Sequence, residues 1–440
     1  RLLIRLPKKV HTIFNLMQDM ARTATKPDAW DTKRIPLVGV NTQRPATAGA
    51  FLTAEDQRFM NFIPMESVNP LTDQKRFRLL KRPGFQAYST PAAGSIGTAL
   101  HVFEGTGDGT NLISAFGATN STLYQNTTSL GTITGRVRGF TEVDFTGTAT
   151  VVMASSDSDA WFFPNGGAMT EITDAQYPGV AGRTTVGNFV SMDGYLFLMD
   201  TTGRIYNSER VSIANWDGSY IEPTYNHPFE GVGLARHHNT VVAFGKSSLE
   251  FFTNVGNQDG SPLGRRDNPY KIGCYLPSVN GKTILNHGDD IYFVGSSYAG
   301  GAGIYRIRDF KPERISTQVI DAQLEVAEPQ TATLSIGKIW GKTFLIVIAG
   351  QSFAYNIDDN IWFELVAGTG GILWSVMAGS SHGDGRVFSL SLTATGGKIY
   401  EWNTDTPVYQ DDATAYTGTV ITSKIDFDTE NLKRFHKIKL

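Results

Sequence analysis

Between residues 230 and 256 the apolar positions fall into three short runs, Val232 to Arg236, Thr240 to Phe244 and Leu249 to Thr253, broken at Asn239, Gly245 and Ser247. Short runs rich in Val, Leu and Phe and punctuated by turn formers predict three strands in a meander. A lone meander has one apolar face and two open edges, so it is poorly stable in water and needs neighbours of its own kind. The rest of the chain supplies them. An apolar run, a Gly or Ser turn and a second run with a central aromatic recur at Tyr195 to Met199 and Arg204 to Asn207, and at Asp290 to Val294 and Ile304 to Ile307. They recur again at Thr343 to Ile348 and Phe353 to Ile357, and at Val387 to Leu390 and Lys398 to Trp402. Two weaker copies come earlier, one ending at Leu123 and Tyr124, the other running from Val151 to Met153 and from Ala160 to Phe163. Marked by the aromatic of its second run, each unit falls at Tyr124, Phe162, Tyr206, Phe251, Tyr305, Tyr355 or Tyr400, seven units with a mean spacing of about 46 residues. That period is the length of a propeller blade, so the expected fold is all-β, a β-propeller of six or seven blades.

Outside the repeat the pattern changes. A basic segment, Arg1 to Lys9, leads into Ile13, Phe14, Leu16, Met17 and Met20, which form one stripe on a short helix. The polar face of that helix lacks the Lys and Arg of membrane-surface helices, so docking on its own domain or on a neighbouring subunit is expected instead. Residues 21–34, with Lys26-Pro27-Asp28, read as a linker. Residues 35–84 follow neither period, and the strand that closes the propeller ring on its last blade is expected there, because closure removes an exposed edge. At the other end, Tyr416 to Phe427 and Lys433 to Leu440 alternate as two strands of a C-terminal β extension. Two strands make no stable domain, which implies that the polypeptide continues or that they join a sheet formed elsewhere. Since the chain does not open on Met, residues before Arg1 are expected too. The divisions are then residues 1–34, helix and linker; 35–410, propeller; and 411–440, the start of the extension.

Composition narrows the function classes. Charged residues are 18% of the 440, against 46 glycines and 11% aromatics, a turn-rich all-β balance. A formal net charge of -3 gives no whole-chain basic footprint for nucleic acid. The single cysteine, Cys274, excludes an intrachain disulfide and a thiolate metal cluster. No run of about 18 apolar residues and no signal-peptide core occurs, so assembly in a reducing cytosol, with no membrane partner, is the expectation.

Candidate chemistry is sparse, and each candidate has a plain alternative. His237-His238 ends a strand with no further ligand at metal spacing nearby, so turn histidines are read in preference to a metal site. Asp358-Asp359-Asn360 and Gly288-Asp289-Asp290 offer calcium-type oxygens but lack the twelve-residue loop with its terminal Glu, and these are ordinary turn residues. Gly105 to Thr110 has the glycines of a phosphate loop without the helix and Gly-Lys-Ser/Thr that would follow, so a hairpin loop is read there. Glu142 with Asp144, and Asp157 with Asp159, are carboxylate pairs of the kind glycoside hydrolases use, and residues two apart on a strand also simply share a face. Gly264-Arg265-Arg266-Asp267 is one basic spot, suited to a DNA phosphate or, by preference, to a neighbouring subunit's carboxylate. No catalytic, cofactor or metal residues are assigned.

One set of motifs is more specific. An Ile-Pro-Leu-Val-Gly start at Ile35, an Arg-x-x-Asn-x-x-Pro element (Arg58, Asn61, Pro64), the pair Pro83-Gly84 and the central meander occur in order. In the meander Gly245 and a serine turn lead into Glu250, Phe251 and Phe252, followed by Gly256 and by the pair Ile272-Gly273. In this the chain resembles the packaged-DNA stabilisation, or tail nozzle, proteins of short-tailed bacteriophages, over about residues 35–440. The resemblance implies a virion tail protein, assembled in the host cytoplasm, without enzymatic activity or cofactor. It implies a ring, of hexameric order, below the portal and adaptor rings, which closes the DNA exit channel, retains packaged DNA and docks tail spikes or fibres and a plug or needle. DNA would pass without specific binding. With few basic clusters, the conduit wall is expected to be neutral to acidic, and Arg265-Arg266 to serve subunit contacts. Two other readings stand beside it: a propeller glycan hydrolase of a phage tail, and a cellular propeller scaffold that binds peptides.

Overall fold

The computed structural model describes residues 2–7, 30–35, 58–68, 75–103, 111–223, 230–257, 259–266, 269–278, 281–297, 300–367, 377–381, 387–391, 397–402 and 408–421. Contacts divide the chain into two compact units. The larger comprises Pro83–Asn360 and Leu365–Thr417, the smaller Arg1–Arg82, Ile361–Glu364 and Gly418–Leu440.

In the larger unit the strands form seven antiparallel sheets in chain order. The innermost strands are Gly97–Val102, Val137–Val143, Thr185–Met192, Gly231–His237, Ile284–His287, Thr333–Ile339 and Met377–Ser381. Each touches the next and the last touches the first, so the sheets are the seven blades of a closed propeller. All seven marker aromatics lie on the third strand of their blade: Ser121–Gln125, Ala160–Pro164, Ile205–Ser208, Leu249–Asn254, Ala302–Arg308, Gln351–Asn356 and Ile399–Trp402. The repeat thus marks the central hairpin of each blade, its second and third strands.

Burial explains why those hairpins read as continuous apolar runs. Successive residues of a strand point to opposite faces of the sheet, and in a propeller both faces are covered by neighbouring blades. On the second blade Val151 packs with Ile113 and Leu123 of the first, while Val152 packs with Leu196 and Leu198 of the third. On the fourth, Phe252 and Val241 meet Phe197 and Met199 of the third, while Phe251 and Val242 meet Phe293 and Tyr305 of the fifth. Each such side chain, fully buried, is worth about 1.5–3 kcal/mol of apolar transfer.

Near the axis the blades converge and backbone must approach backbone. The inner strands shift register near their starts, between Gly97 and Ala99, Val137 and Gly139, Val186 and Val190, Gly231 and Gly233, and Met377 and Ser380. Such bulges bend the strand and strengthen its twist. Gly187 takes φ +69°, and a Cβ there would lie 2.6 Å from Cα of Gly233 on the next blade, so no side chain fits.

The ring closes through Phe85–Ser89, which pairs antiparallel with Ile399–Trp402 in the seventh sheet. This strand follows Pro83-Gly84, whereas the closing strand was expected before it. The pair acts as the start signal instead: Pro83 has no N–H to give, and the N–H of Gly84 goes to the Val408 carbonyl at 2.7 Å. Between the fifth and sixth blades lies α1, Gln318–Val326, which buries Val319, Ile320 and Leu324.

In the smaller unit Arg58–Met60 pairs antiparallel with Thr419–Ile421 and runs parallel to 361–364 at Met60 and Glu364. Phe62–Val68 forms a hairpin with Lys75–Lys81, and Leu2–Pro7 forms another with Trp30–Ile35. Residues 30–34, expected as linker, are therefore strand, as a run containing Trp, Thr and Ile favours. The helix expected over residues 13–20 lies outside the described residues, as do the extension beyond Ile421 and Gly105 to Thr110.

Candidate functional site: the propeller channel and the clusters between blades

The family-motif residues occupy structural positions. Asn61 takes φ +58° between Arg58–Met60 and Phe62–Val68, a conformation Asn tolerates. Its amide oxygen accepts from Nε of the fully buried Arg82 at 2.9 Å, and its carbonyl accepts the Arg82 N–H at 3.0 Å. Pro64 is buried in the hairpin opposite Leu79. Gly84 has no room for a Cβ, which would lie 1.9 Å from the Gln410 carbonyl oxygen, and one on Gly273 would lie 1.8 Å from that of Lys246. Gly256 has space but takes φ +71°. Gly245 donates its N–H to the Ser248 carbonyl at 2.8 Å and tightens the hairpin that carries Glu250, Phe251 and Phe252.

Glu250 is the one charged residue of that hairpin, 1% exposed, and Nε of Arg265 donates to its carboxylate at 3.0 Å. Arg266 lies 3.6 Å above the centroid of the Phe310 ring. The basic spot at Arg265-Arg266 is thus engaged within the chain by a carboxylate and an aromatic face.

His237, fully buried, joins the fourth and fifth blades. Its Nε2 accepts the Phe310 N–H at 3.0 Å, so Nδ1 carries the hydrogen given to the Asp289 carbonyl. Both nitrogens are committed to backbone, and no group of three or more His, Cys, Asp or Glu able to hold a metal occurs among the described residues. The turn carboxylates have partners too. Asp290 is bridged by Arg308, and Lys342 stands 3.4 Å from Asp358 and 3.5 Å from Asp359. Amide N–H groups of Asp358 and Asp359 donate to the Asn356 side-chain oxygen, as ordinary turn chemistry requires. Cys274 is buried, which pushes its thiol up to about 12 and leaves it unreactive.

The carboxylate pairs do not form acid and base. Glu142 accepts from or donates to Nε2 of His101 at 2.6 Å, while Asp144 is exposed beyond the strand end. Asp157 and Asp159 belong to the turn after Thr150–Ser155, where Ser155 Oγ accepts the Asp157 N–H and the Asp159 carbonyl accepts the Ser155 N–H. Desolvation, then the neighbouring Asp157, raises the Asp159 carboxyl.

The concave site of the molecule is the channel enclosed by the inner strands of the first five blades, about 880 Å³. Its walls carry Arg136, Arg138, Arg236 and Lys282 against Glu142 and Asp157. Sequence reading found the two carboxylates and missed the four cations, because the cations lie on strands far apart in the chain and only ring closure gathers them. A volume of this order suits a small molecule, and a duplex whose major groove alone is about 12 Å wide has no passage.

Several solved structures are similar in outline at low identity. Raptor from Chaetomium thermophilum shares 11% identity over 74% of this chain and 29% of its own, with a TM-score of 0.43. PorZ, a bacterial surface component of the type-IX secretion system of Porphyromonas gingivalis, shares 12% over 78% and 40%, with a TM-score of 0.44. The extracellular domain of the putative hybrid two component system BT3049 from B. thetaiotaomicron shares 11% over 76% and 43%, with a TM-score of 0.46. The chain spans less than half the length of each, and no curated protein matches it. Residues 109–379 match the family described as Bacteriophage P22 Gp10, beta-propeller. That stretch begins within the first blade and ends in the seventh and takes in more than half of the 440 residues, so the chain belongs to this phage-stabilisation family of β-propeller proteins.

Proposed function

We propose that the protein is a structural subunit of a short-tailed phage virion, a tail nozzle whose copies form a hexameric ring below the portal and adaptor. The observation that carries this reading is the family match over residues 109–379 on a closed seven-bladed ring. The ring narrows or closes the DNA exit after packaging and presents surfaces for spikes or fibres and for a plug or needle. Genomic DNA crosses the centre of the hexamer, since the protomer's own channel is too small, and is retained by steric closure and not by affinity. Catalysis has no part in it. His237, Glu142 and the paired turn carboxylates are all occupied by backbone or side-chain partners, which supports a non-enzymatic role.

Silencing the gene during infection tests the reading. Particles lacking the chain should package the genome and then lose it, so purified particles are empty and complementation restores both DNA content and infectivity. Particles that lack the protein yet keep their DNA and infect normally would show that it is no part of the closure.

A further inference from the structure

The channel mouth carries a positive excess that the fold sets in place. In blades whose strands alternate in direction, inner strands begin at one face, and Arg138 and Lys282 both lie beside such beginnings, on Val137–Val143 and just before Ile284–His287. The backbone of Lys282 is held from both sides of its peptide units: its N–H donates to the Ala332 carbonyl and its carbonyl accepts the Leu334 N–H, each at 2.9 Å. The guanidinium of Arg138 donates to Thr185 Oγ1 and to the Ser156 carbonyl, each at 3.2 Å, and both acceptors are neutral. Arg136, 7% exposed, enters the wall two residues earlier. Desolvation pushes the Arg138 guanidinium down to about 10 and the Lys282 ammonium down from its ordinary value. Neither makes an ion pair with a carboxylate among the described residues. Asp157, exposed on its turn, is the carboxylate that acts on Arg138 from a distance, and Glu142 at the far end is held by His101. Cations withdrawn from water without a counter-charge are costly, and they make a concave, low-dielectric site attractive to an anion.

We propose that the mouth of the propeller channel, at Arg138 and Lys282, binds a small multivalent oxyanion of the phosphate class. A planar guanidinium fork beside a compact ammonium suits the several oxygens of such a group, and the channel volume of about 880 Å³ leaves space for an organic portion behind it. The site belongs to a single protomer and does not depend on the tail reading.

Calorimetric titration of the full chain with pyrophosphate at low ionic strength, where screening is weak, tests this, with citrate in a parallel arm. Wild type should bind pyrophosphate saturably, about one per chain, and more tightly than citrate; Lys282→Met and Arg138→Gln should each weaken binding by at least about tenfold. Lys282→Arg should retain it, and the unfolding temperature of wild type, unlike that of Lys282→Met, should rise with pyrophosphate. If Arg138→Gln does not fold, the comparison of Lys282→Met with Lys282→Arg decides. Absence of saturable binding by wild type, equal binding by Lys282→Met, or binding of citrate in place of pyrophosphate would overturn the proposal.

Discussion

His237 shows how a single side chain couples packing to pH. Its ring is buried between blades, Nε2 accepts the Phe310 N–H, and desolvation pushes its protonation below the ordinary range near 6.5. The folded state therefore binds fewer protons than the unfolded state just below that value, so stability is complete above it and falls as pH drops through the folded value. Protonation also forces Nε2 to become a donor facing another donor. Urea unfolding at pH 8 and pH 5.5 should show a larger acid loss in wild type than in His237→Gln. His287, pushed down by burial as well, contributes to both proteins, so the difference isolates His237. An acid loss unchanged by the substitution would mean that the inter-blade bond is not what titrates. In the sequence the doublet read correctly as strand-end histidines, but nothing local pointed to Phe310, 73 positions away.

At the scale of elements, the central hairpins were legible because both their faces are buried: Val151-Val152 and Phe251-Phe252 serve two neighbouring blades each, and continuous apolar runs result. Inner and outer strands were not. Bulges interrupt the inner ones, as in Thr185–Met192, and outer strands such as Thr170–Glu171 and Lys311–Arg314 are short, polar and largely exposed. The helix Gln318–Val326 buries only Val319, Ile320 and Leu324, too brief a stripe to read as a period. The motif glycines were visible as letters, but their reasons differ. Gly273 faces a carbonyl oxygen at 1.8 Å, whereas Gly256 needs only its φ of +71° in open space. Gly273→Ala should then cost about 2–3 kcal/mol of unfolding free energy through overpacking against backbone, and Gly256→Ala about 1 kcal/mol through backbone strain. Chemical denaturation of the two variants measures both, and equal losses would mean that the strand at Gly273 moves aside without penalty.

For the whole molecule, the decisive contact joins the two ends of the ring. Phe85, 1% exposed, packs its ring 4.4 Å from that of Trp402 and 6.4 Å from that of Tyr400, edge on in both cases. Phe85→Ala should lower stability by about 3–5 kcal/mol and broaden the thermal transition, whereas Tyr88→Ala, on the exposed face of the same strand, should cost much less. Similar small losses for both would show that the ring holds without its closing strand. The Phe85 N–H also reaches the Asp411 side chain, 326 positions along the chain. Bringing such distant residues together is slow, because the ordering cost of the intervening chain precedes any gain from the contact. During synthesis the first blade therefore emerges long before its partner strand exists, and the nascent chain waits with that edge open until nearly all of its blades have left the ribosome. Host chaperones, or neighbouring copies on the same polysome, meet it in that state, and the yield of assembled protein is decided in this interval more than by the stability of the finished ring.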